Sequence, residues 1–328
     1  MGSRLAQEAA EAAEGARRQL ETCVPVIAEL QHHLAAHPPA FIVTCARGSS
    51  DHAATYGKYV IETTARTVVA SVGPSVASMY RRGLASLDGA LFITVSQSGR
   101  SPDLVELTDA ARRAGAFTVG LVNVEGSPLA AACDVVIPLC AGEERAVAAT
   151  KSFLLAGYAF LQLAAAWTGD AALRDAVVRG PDALENAAAQ PWDLSRLASA
   201  SSLYVLGRGI GLGPAQELAL KLKETCRIHA EAFSTAEVLH GPVELVGPGF
   251  PVLAVVQPDE TEASTTEVLA RLTSLGASVM THAMRDVPAV LAPLCQVQSF
   301  YLGIPSLAAA RNLDADSPAH LSKVTKTM

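Results

Sequence analysis

The stretch LFITVSQSGRSPDL (residues 91–104) has the pattern of a buried strand that opens into a polar loop and then into a helix. Ser101 stands at the N-cap position and Pro102 at the first helical position. Hydroxyl groups, a side-chain amide and free backbone N–H groups at a helix N-terminus can bind an anion. An ordinary polar loop with a helix cap fits the same residues, and the spacing alone leaves both interpretations open.

Similar apolar runs alternate with helical segments along the whole chain. They are AFIVTC (40–45), ALFITVS (90–96), FTVGLVN (117–123), DVVIPLC (134–140), SLYVLG (202–207), PVLAVVQ (251–257) and SVMTHA (278–283). Short continuous apolar strands with helices between them are typical of parallel sheets that are covered on both faces. The sequence therefore predicts an α/β fold.

Three landmarks of the first half recur in the second half at one offset, because 209 − 48, 276 − 115 and 256 − 95 all equal 161. The pairs are Arg47-Gly48 with Arg208-Gly209, Gly115-Ala116 with Gly276-Ala277, and Val95 with Val256. Each match is weak alone, but together they predict a duplicated α/β unit.

Composition limits the class of ligand. The 328 residues fit two domains, half of them are hydrophobic, and only 17% are charged. The formal net charge of −7 comes without a run of Lys or Arg, which argues against nucleic acid as a partner. We therefore expect a small anionic ligand that is held by local groups.

Cysteine usage and hydropathy indicate the compartment. The six cysteines form no CxxC pair and lie mostly in apolar sequence, as expected for free thiols in a reducing cytosol. No stretch reaches the roughly 20 apolar residues that span a bilayer, and the N-terminus lacks the apolar core of a signal peptide. The sequence predicts a cytoplasmic protein without a membrane segment.

A second strand-to-helix turn, TCARGSSDHAA (44–54), carries Ser49 and Ser50. In an open α/β sheet, ligands bind at the carboxyl ends of the strands, so these hydroxyls could donate to the same anion as the first loop. They could equally form a helix cap alone.

The stretch QELALKLKET places Glu217, Lys221 and Glu224 at i, i+4 and i+7, on one face of a helix. A solvent-facing stripe of ion pairs would have the same spacing, but the flanking leucines favour a buried helix. The ionisable residues His229, Glu231, Glu237 and His240 follow closely. Several such groups near one buried helix favour a functional site.

The C-terminal tail carries Lys323, which could reach inward, although the residues alone favour a solvated side chain.

At these residues the chain resembles the double sugar-isomerase (SIS) domain family, which includes the isomerase half of glutamine:fructose-6-phosphate amidotransferase. The resemblance implies two tandem SIS domains, each a three-layer αβα sandwich around a parallel, flavodoxin-like sheet. The motifs that carry it span nearly the whole chain and are SQSGRSPD, VAATKSF (147–153), LALKLKET, IHAEAFSTAEVLHGP and HLSKVTKT.

The resemblance also implies a division of the chain. We expect a helical segment at 1–28, a first SIS domain with the phosphate loop at 29–170, a linker at 171–198, a second SIS domain at 199–315, and a tail with an active-site lysine at 316–328.

The family's substrate-binding positions can be transferred residue by residue. They fall on Ser96, Gln97, Ser98 and Ser101 for the sugar phosphate, on Ser49 and Ser50 in the same pocket, and on Val147 and Ala149 beside the sugar.

The family's catalytic positions fall on four residues. Glu224 matches the carboxylate that moves a proton between C1 and C2, and Lys221 matches its neighbouring active-site lysine. His240 matches the histidine that opens the sugar ring and comes from the second subunit of a homodimer. Lys323 matches the tail lysine that engages the open-chain carbonyl. The chemistry needs no metal and no cofactor.

Departures from the synthase pattern refine the expected function. The first SIS unit follows only a helical stretch, so we expect no glutaminase activity, and Ala149 stands where the synthase has a serine. The chain is more similar to stand-alone SIS-type glucosamine-6-phosphate deaminases, which release fructose 6-phosphate and ammonia. For the dimer interface we expect the apolar face of the helix at Phe153–Trp167.

Two alternatives stay open. The chain could be a deglycase or isomerase of another sugar phosphate, a choice that depends on pocket residues such as Arg81, Arg82 and Ala149. It could also be a non-catalytic sugar-phosphate sensor, but such a protein would not need Glu224 and His240 together.

Overall fold

A computed structural model describes residues 2–323 of the chain. These residues form two compact units. The five-stranded unit comprises residues 14–144 and 155–178, and the four-stranded unit comprises residues 2–13, 145–154 and 179–323. The domain boundaries expected from the resemblance remain a prediction, and residues 324–328 of the expected tail lie outside the described residues.

The five-stranded unit contains one fully parallel sheet in the order β2-β1-β3-β4-β5. Its strands are β1 (Phe41–Cys45), β2 (Val69–Ser71), β3 (Ala90–Ser96), β4 (Phe117–Val122) and β5 (Val135–Pro138). Every residue of β3 is buried, because helices cover both faces of this central strand. The continuous apolar run that predicted the strand follows from this burial.

The four-stranded unit contains a second parallel sheet in the order β7-β6-β8-β9. Its strands are β6 (Ser202–Gly207), β7 (His229–Ser234), β8 (Pro251–Ala254) and β9 (Ser278–Thr281). The two sheets therefore have the same strand order, with β6, β8 and β9 in the places of β1, β3 and β4. The starting residues agree as well, since 202 − 41, 251 − 90 and 278 − 117 all equal 161. The predicted duplication and the α/β fold are confirmed.

Twelve α-helices lie in the described residues. They are α1 (Arg4–Ala10), α2 (Ala12–Thr22), α3 (Val24–Ala36), α4 (Ser49–Thr64), α5 (Ser75–Ser78), α6 (Pro102–Arg113), α7 (Pro128–Ala132), α8 (Lys151–Thr168), α9 (Ala171–Ala188), α10 (Leu212–Cys226), α11 (Glu262–Ser274) and α12 (Ala292–Ala310). No helix within residues 2–323 combines the length and apolarity needed to cross a membrane.

The expected dimer interface on the helix at Phe153–Trp167 is wrong. From Lys151 to Ala165, helix α8 is buried on every side within the chain itself, and Phe153, Leu154 and Phe160 are at most 1% exposed. An all-round apolar helix belongs to a core, and its hydropathy cannot distinguish a core from a subunit interface. The helix has no exposed apolar face to offer a partner along this stretch.

Strand order determines where a ligand can bind. The chain leaves β1 toward one side of the sheet and returns to β3 on the other, so the loops after these strands diverge. The crevice between such loops is the usual ligand site of open parallel sheets. Ser49 and Ser50 follow β1 and Ser96–Ser101 end and follow β3, so one edge of the five-stranded sheet presents both predicted loops.

Candidate functional site

The loop after β3 is a tight turn built around Ser96 and Gly99. The Ser96 hydroxyl accepts a hydrogen bond from the Gly99 backbone N–H at 3.0 Å, and the Ser98 hydroxyl accepts one from the Arg100 N–H at 3.3 Å.

Ser101 is the N-cap residue of α6, as predicted, but its side chain makes no capping hydrogen bond. In the first turn of α6, Pro102 has no N–H, and the N–H groups of Leu104 and Val105 donate to Asp103 Oδ1 at 3.0 Å and to the Ser101 carbonyl at 3.2 Å. The Asp103 N–H has no hydrogen bond within the described residues and can face an anion.

Glycine is required at position 99 for two reasons. Its φ of +62° is unfavourable for residues with a side chain, and a Cβ atom there would lie 2.0 Å from the Ser127 hydroxyl oxygen. The Gly99 carbonyl also accepts a hydrogen bond from the Leu129 N–H at 3.0 Å, which joins this turn to α7. The loop is therefore packed into one conformation.

Arg47 and Asp103 connect the two loops. The Nε and Nη2 atoms of Arg47 donate to Oδ2 of Asp103 at 3.0 and 2.8 Å, and the Asp103 side chain is completely buried. A bare carboxylate next to the turn would repel an anionic ligand, whereas the guanidinium neutralises it. Sequence reasoning treated Arg47 as a mark of the duplication and Asp103 as a helix-start residue, and it missed this pair.

The duplicated loop in the four-stranded unit has an acidic residue where the first loop has a neutral one. Position 259 is the counterpart of Ser98, since 259 − 98 is 161, and it is an aspartate. Oδ1 of Asp259 accepts hydrogen bonds from the N–H and the hydroxyl of Thr261 at 2.8 and 2.5 Å, and the Ser98 hydroxyl accepts the equivalent bond from the Arg100 N–H. The two turns share this geometry, but a carboxylate in the second would repel an anion, so the first loop suits a phosphate better.

Helix α10 carries the second group of predicted residues. The Lys221 ammonium lies 2.5 Å from Oε2 of Glu224 and 3.3 Å from Oε1 of Glu217. The side chains of Glu217 and Lys221 are at most 1% exposed, whereas that of Glu224 is 21% exposed. The solvent-facing stripe of ion pairs is therefore the wrong interpretation, and Glu224 is the member of the cluster that a ligand can reach.

Tyr301 completes this buried cluster. Its hydroxyl, on α12, donates to Oε1 of Glu217 at 2.7 Å. Burial lowers the pKa of Lys221, but the two glutamates outweigh it and the pKa is raised above the ordinary value. Lys221 therefore stays an ammonium at neutral pH. No periodicity in the sequence relates Tyr301 to α10, and this residue was missed.

The other predicted residues lie on different elements. His240 directly follows a 3-10 helix (Glu237–Leu239) and is exposed, and within residues 2–323 its side chain has no hydrogen bond or ion pair with Lys221 or Glu224. Lys323 is partly buried and is the last described residue. Val147 and Ala149 are half-buried in the irregular segment before α8, in the four-stranded unit.

Comparison with known proteins agrees with the duplicated fold. A family model described as "SIS domain" matches residues 40–166 and again residues 196–283, each match covering one of the two sheets. The chain belongs to the SIS domain family.

Two curated relatives of the chain share one name. The glutamine–fructose-6-phosphate aminotransferase (isomerizing) of Aeropyrum pernix is 34% identical over 307 residues, which cover 84% of this chain and 49% of the relative. The protein of the same name from Thermotoga maritima is 31% identical over 316 residues, which cover 86% of this chain and 50% of the relative. The chain spans about half the length of the curated relatives it matches.

Solved structures extend the comparison. A protein of Silicibacter pomeroyi DSS-3, described as a proposed phosphosugar isomerase, is 40% identical with a TM-score of 0.91 over 96% of this chain and all of that one. The glucosamine-6-phosphate deaminase of Thermotoga maritima has a TM-score of 0.79 over 99% of this chain and all of that one. At 21% identity, the second likeness shows the fold alone.

Replacing Gly99 by alanine tests the first loop. We expect Gly99→Ala to lower the free energy of unfolding by about 2–4 kcal/mol, the sum of a left-handed alanine and a steric clash with Ser127, and to weaken the affinity for inorganic phosphate. Gly126→Ala is the matched control, because Gly126 has a φ of +69° but open space around its Cβ position. It should cost about 1 kcal/mol and leave phosphate affinity unchanged. Urea unfolding and titration calorimetry measure both, and equal effects of the two substitutions would contradict the packing argument.

Replacing Lys221 by methionine tests the cluster that this residue forms with Glu217 and Glu224. We expect Lys221→Met to destabilise the protein by about 3–5 kcal/mol, because the Glu217 carboxylate is left buried without its counter-charge. Adding Glu217→Gln should recover much of this loss, since the amide carries no charge. Urea unfolding measures the free energy of unfolding of both variants. If the double variant is no more stable than Lys221→Met, the unpaired charge of Glu217 is not the cause of the loss.

Proposed function

We propose that this chain is an SIS-type phosphosugar isomerase that converts glucosamine 6-phosphate to fructose 6-phosphate and ammonia. The observation that carries the proposal is the Glu224 carboxylate, partly open to a ligand and held 2.5 Å from an ammonium that is itself fixed by Glu217. Aldose–ketose conversion needs one base that can serve two adjacent carbons, and the accessible Glu224 carboxylate supports this assignment.

The phosphate is assigned to the loops at the edge of the five-stranded sheet. Ser96, Gln97, Ser98 and Ser101, together with Ser49 and Ser50, supply hydroxyl, amide and backbone donors. Neutralisation of Asp103 by Arg47 supports this assignment, because it removes the one buried negative charge that contacts these loops. Val147 and Ala149 would contact the sugar.

The proton chemistry is assigned to α10. In the open-chain aldose, Glu224 removes the proton from C2 and delivers it to C1, while the amino nitrogen loses a proton and the C1 oxygen gains one. The resulting imine at C2 is hydrolysed by water to the ketone and ammonia. Lys221, which contacts Glu224, is assigned to stabilise the anionic intermediate. Lys323 would engage the open-chain carbonyl oxygen as a donor.

Ring opening is assigned to His240 of a second subunit. Imidazole titrates near neutrality and suits this step. The lack of any described hydrogen bond between His240 and the Lys221–Glu224 pair of its own chain supports a role in trans. The proposed assembly is a homodimer.

Ala149 favours one competing activity. A methyl group in the sugar pocket offers no hydrogen bond to a hydroxyl or amino group of the substrate, so a different sugar phosphate, handled by isomerisation or deglycation, would fit the same base and phosphate loops. Turnover of glucose 6-phosphate and of a fructosamine phosphate, compared with glucosamine 6-phosphate, distinguishes the two proposals.

Glu224→Gln tests the base. We expect it to reduce release of ammonia and fructose 6-phosphate from glucosamine 6-phosphate by at least about 10³-fold, because glutamine keeps the shape but cannot accept the proton. Binding of the substrate should persist within a few-fold. Glu231→Gln, which removes an exposed carboxylate from β7, is the control and should be fully active. Full activity of Glu224→Gln would refute the assignment, whereas binding without turnover in the unmodified protein would favour a sensor.

Mixed dimers test which subunit supplies His240 to each active site. Co-expression of Glu224→Gln with His240→Asn chains should restore about a quarter of the unmodified activity, because half of the dimers are mixed and each mixed dimer has one site with both residues intact. Each variant alone should be inactive. If His240 acts within its own chain, no mixed dimer contains an intact site and the mixture stays inactive.

A further inference from the structure

Helix α1 lies outside both stretches that the SIS family model matches. It is nevertheless firmly anchored within the four-stranded unit. Leu5 and Ala9 are completely buried, and the Ala9 carbonyl accepts a hydrogen bond from the Gln298 side chain of α12 at 2.8 Å. The Asp316 carboxylate accepts hydrogen bonds from the N–H groups of Arg4 and Leu5, both at 2.7 Å. The position of α1 is therefore fixed at its start and along its buried face.

One carboxylate of this helix holds the segment that precedes α8. Oε1 of Glu8 accepts a hydrogen bond from the Arg145 N–H at 2.7 Å, and Oε2 accepts one from the Ala146 N–H at 3.0 Å. Glu8 is only 7% exposed, so these charge-assisted bonds form in a region largely closed to water. Backbone donors at 145 and 146 take up both oxygens of the carboxylate.

The far end of the same segment is held by the residue after α1. The ammonium of Lys151 lies 2.5 Å from Oε2 of Glu11, and the Lys151 side chain is 1% exposed. Residues 145–151 are thus tied at both ends to residues 8–11. Val147 and Ala149 lie between the two attachment points.

We propose that Glu8 is a positioning residue for the sugar-binding segment at Val147–Ala149. It does not contact the reacting atoms but fixes the backbone conformation from which these two residues meet the substrate. This role rests on the proposed function, because the proposed function is what assigns Val147 and Ala149 to the sugar. An N-terminal helix that belongs to neither SIS match then takes part in substrate recognition.

Glu8→Gln is the sharpest variant. Glutamine has nearly the same shape, but its single carbonyl oxygen can accept only one of the two N–H groups, and its amide N–H₂ faces the other donor. We expect KM for glucosamine 6-phosphate to rise about tenfold and kcat to change less than threefold. Glu14→Gln is the matched control, because it removes a 61%-exposed carboxylate nearby in the sequence and should leave both constants unchanged.

Hydrogen exchange gives a readout that does not depend on turnover. In Glu8→Gln, the amides of residues 145–149 should exchange at least about tenfold faster, while those of α12 keep their protection. An unchanged exchange rate at 145–149, or an unchanged KM in an active enzyme, would overturn the positioning role. A parallel loss of kcat and of protection throughout the unit would also overturn it, since that result indicates a general structural role.

The two proposals fail in different ways. If the unmodified protein does not turn over any sugar phosphate, the proposed function fails, and the exchange experiment alone decides whether Glu8 holds the segment. If turnover is normal and Glu8→Gln behaves like Glu14→Gln, only the positioning role fails. Glu8→Ala serves as a second variant should the glutamine variant fold poorly.

Discussion

An ammonium group that is buried between two carboxylates sets the chemistry of the α10 face. Removing Lys221 from water is costly, and the pairing with Glu217 and Glu224 stabilises its charged form at that depth. Glu217 in turn requires Lys221 and the Tyr301 hydroxyl. Of the two glutamates, Glu224 is the more accessible, with 21% of its side chain exposed, so its carboxylate is the one that a ligand can contact. The contact with Lys221 fixes the orientation of this carboxylate.

Gene duplication explains why the two sheets match in strand order. The loops at their edges nevertheless differ. Both sheets offer a crevice where neighbouring connections diverge, yet position 98 is a neutral serine and position 259 is an aspartate. Both side chains accept a hydrogen bond from the backbone N–H two residues later, so the turns differ in charge and not in geometry. The four-stranded unit carries its ionisable groups on α10 instead.

Local sequence patterns predicted the parts of this structure that depend on local physics. Apolar runs located strands of both sheets, the Ser101-Pro102 pair located the start of α6, and helical spacing placed Glu217, Lys221 and Glu224 on one face. The Arg47–Asp103 pair, the Tyr301 hydroxyl and the Glu8 carboxylate could not be found this way. Each of them joins groups distant in sequence, up to 138 residues apart for Glu8 and Ala146, and no periodicity encodes such a contact.

The prediction from hydropathy was wrong at α8. This apolar helix was expected to form a subunit interface, but it lies in the core.

The burial of α8 on all sides limits how the protein can evolve. Because Lys151 opens α8 with a buried charge and the following side chains touch protein on all sides, substitutions in this helix are constrained by volume as well as by polarity. In the loop after β3, by contrast, Gln97 and Ser101 are half-buried and Ser101 makes no capping hydrogen bond, so these two side chains can change at less cost to folding. Substrate preference can therefore drift among relatives while the helix that precedes α9 stays nearly fixed in size and shape.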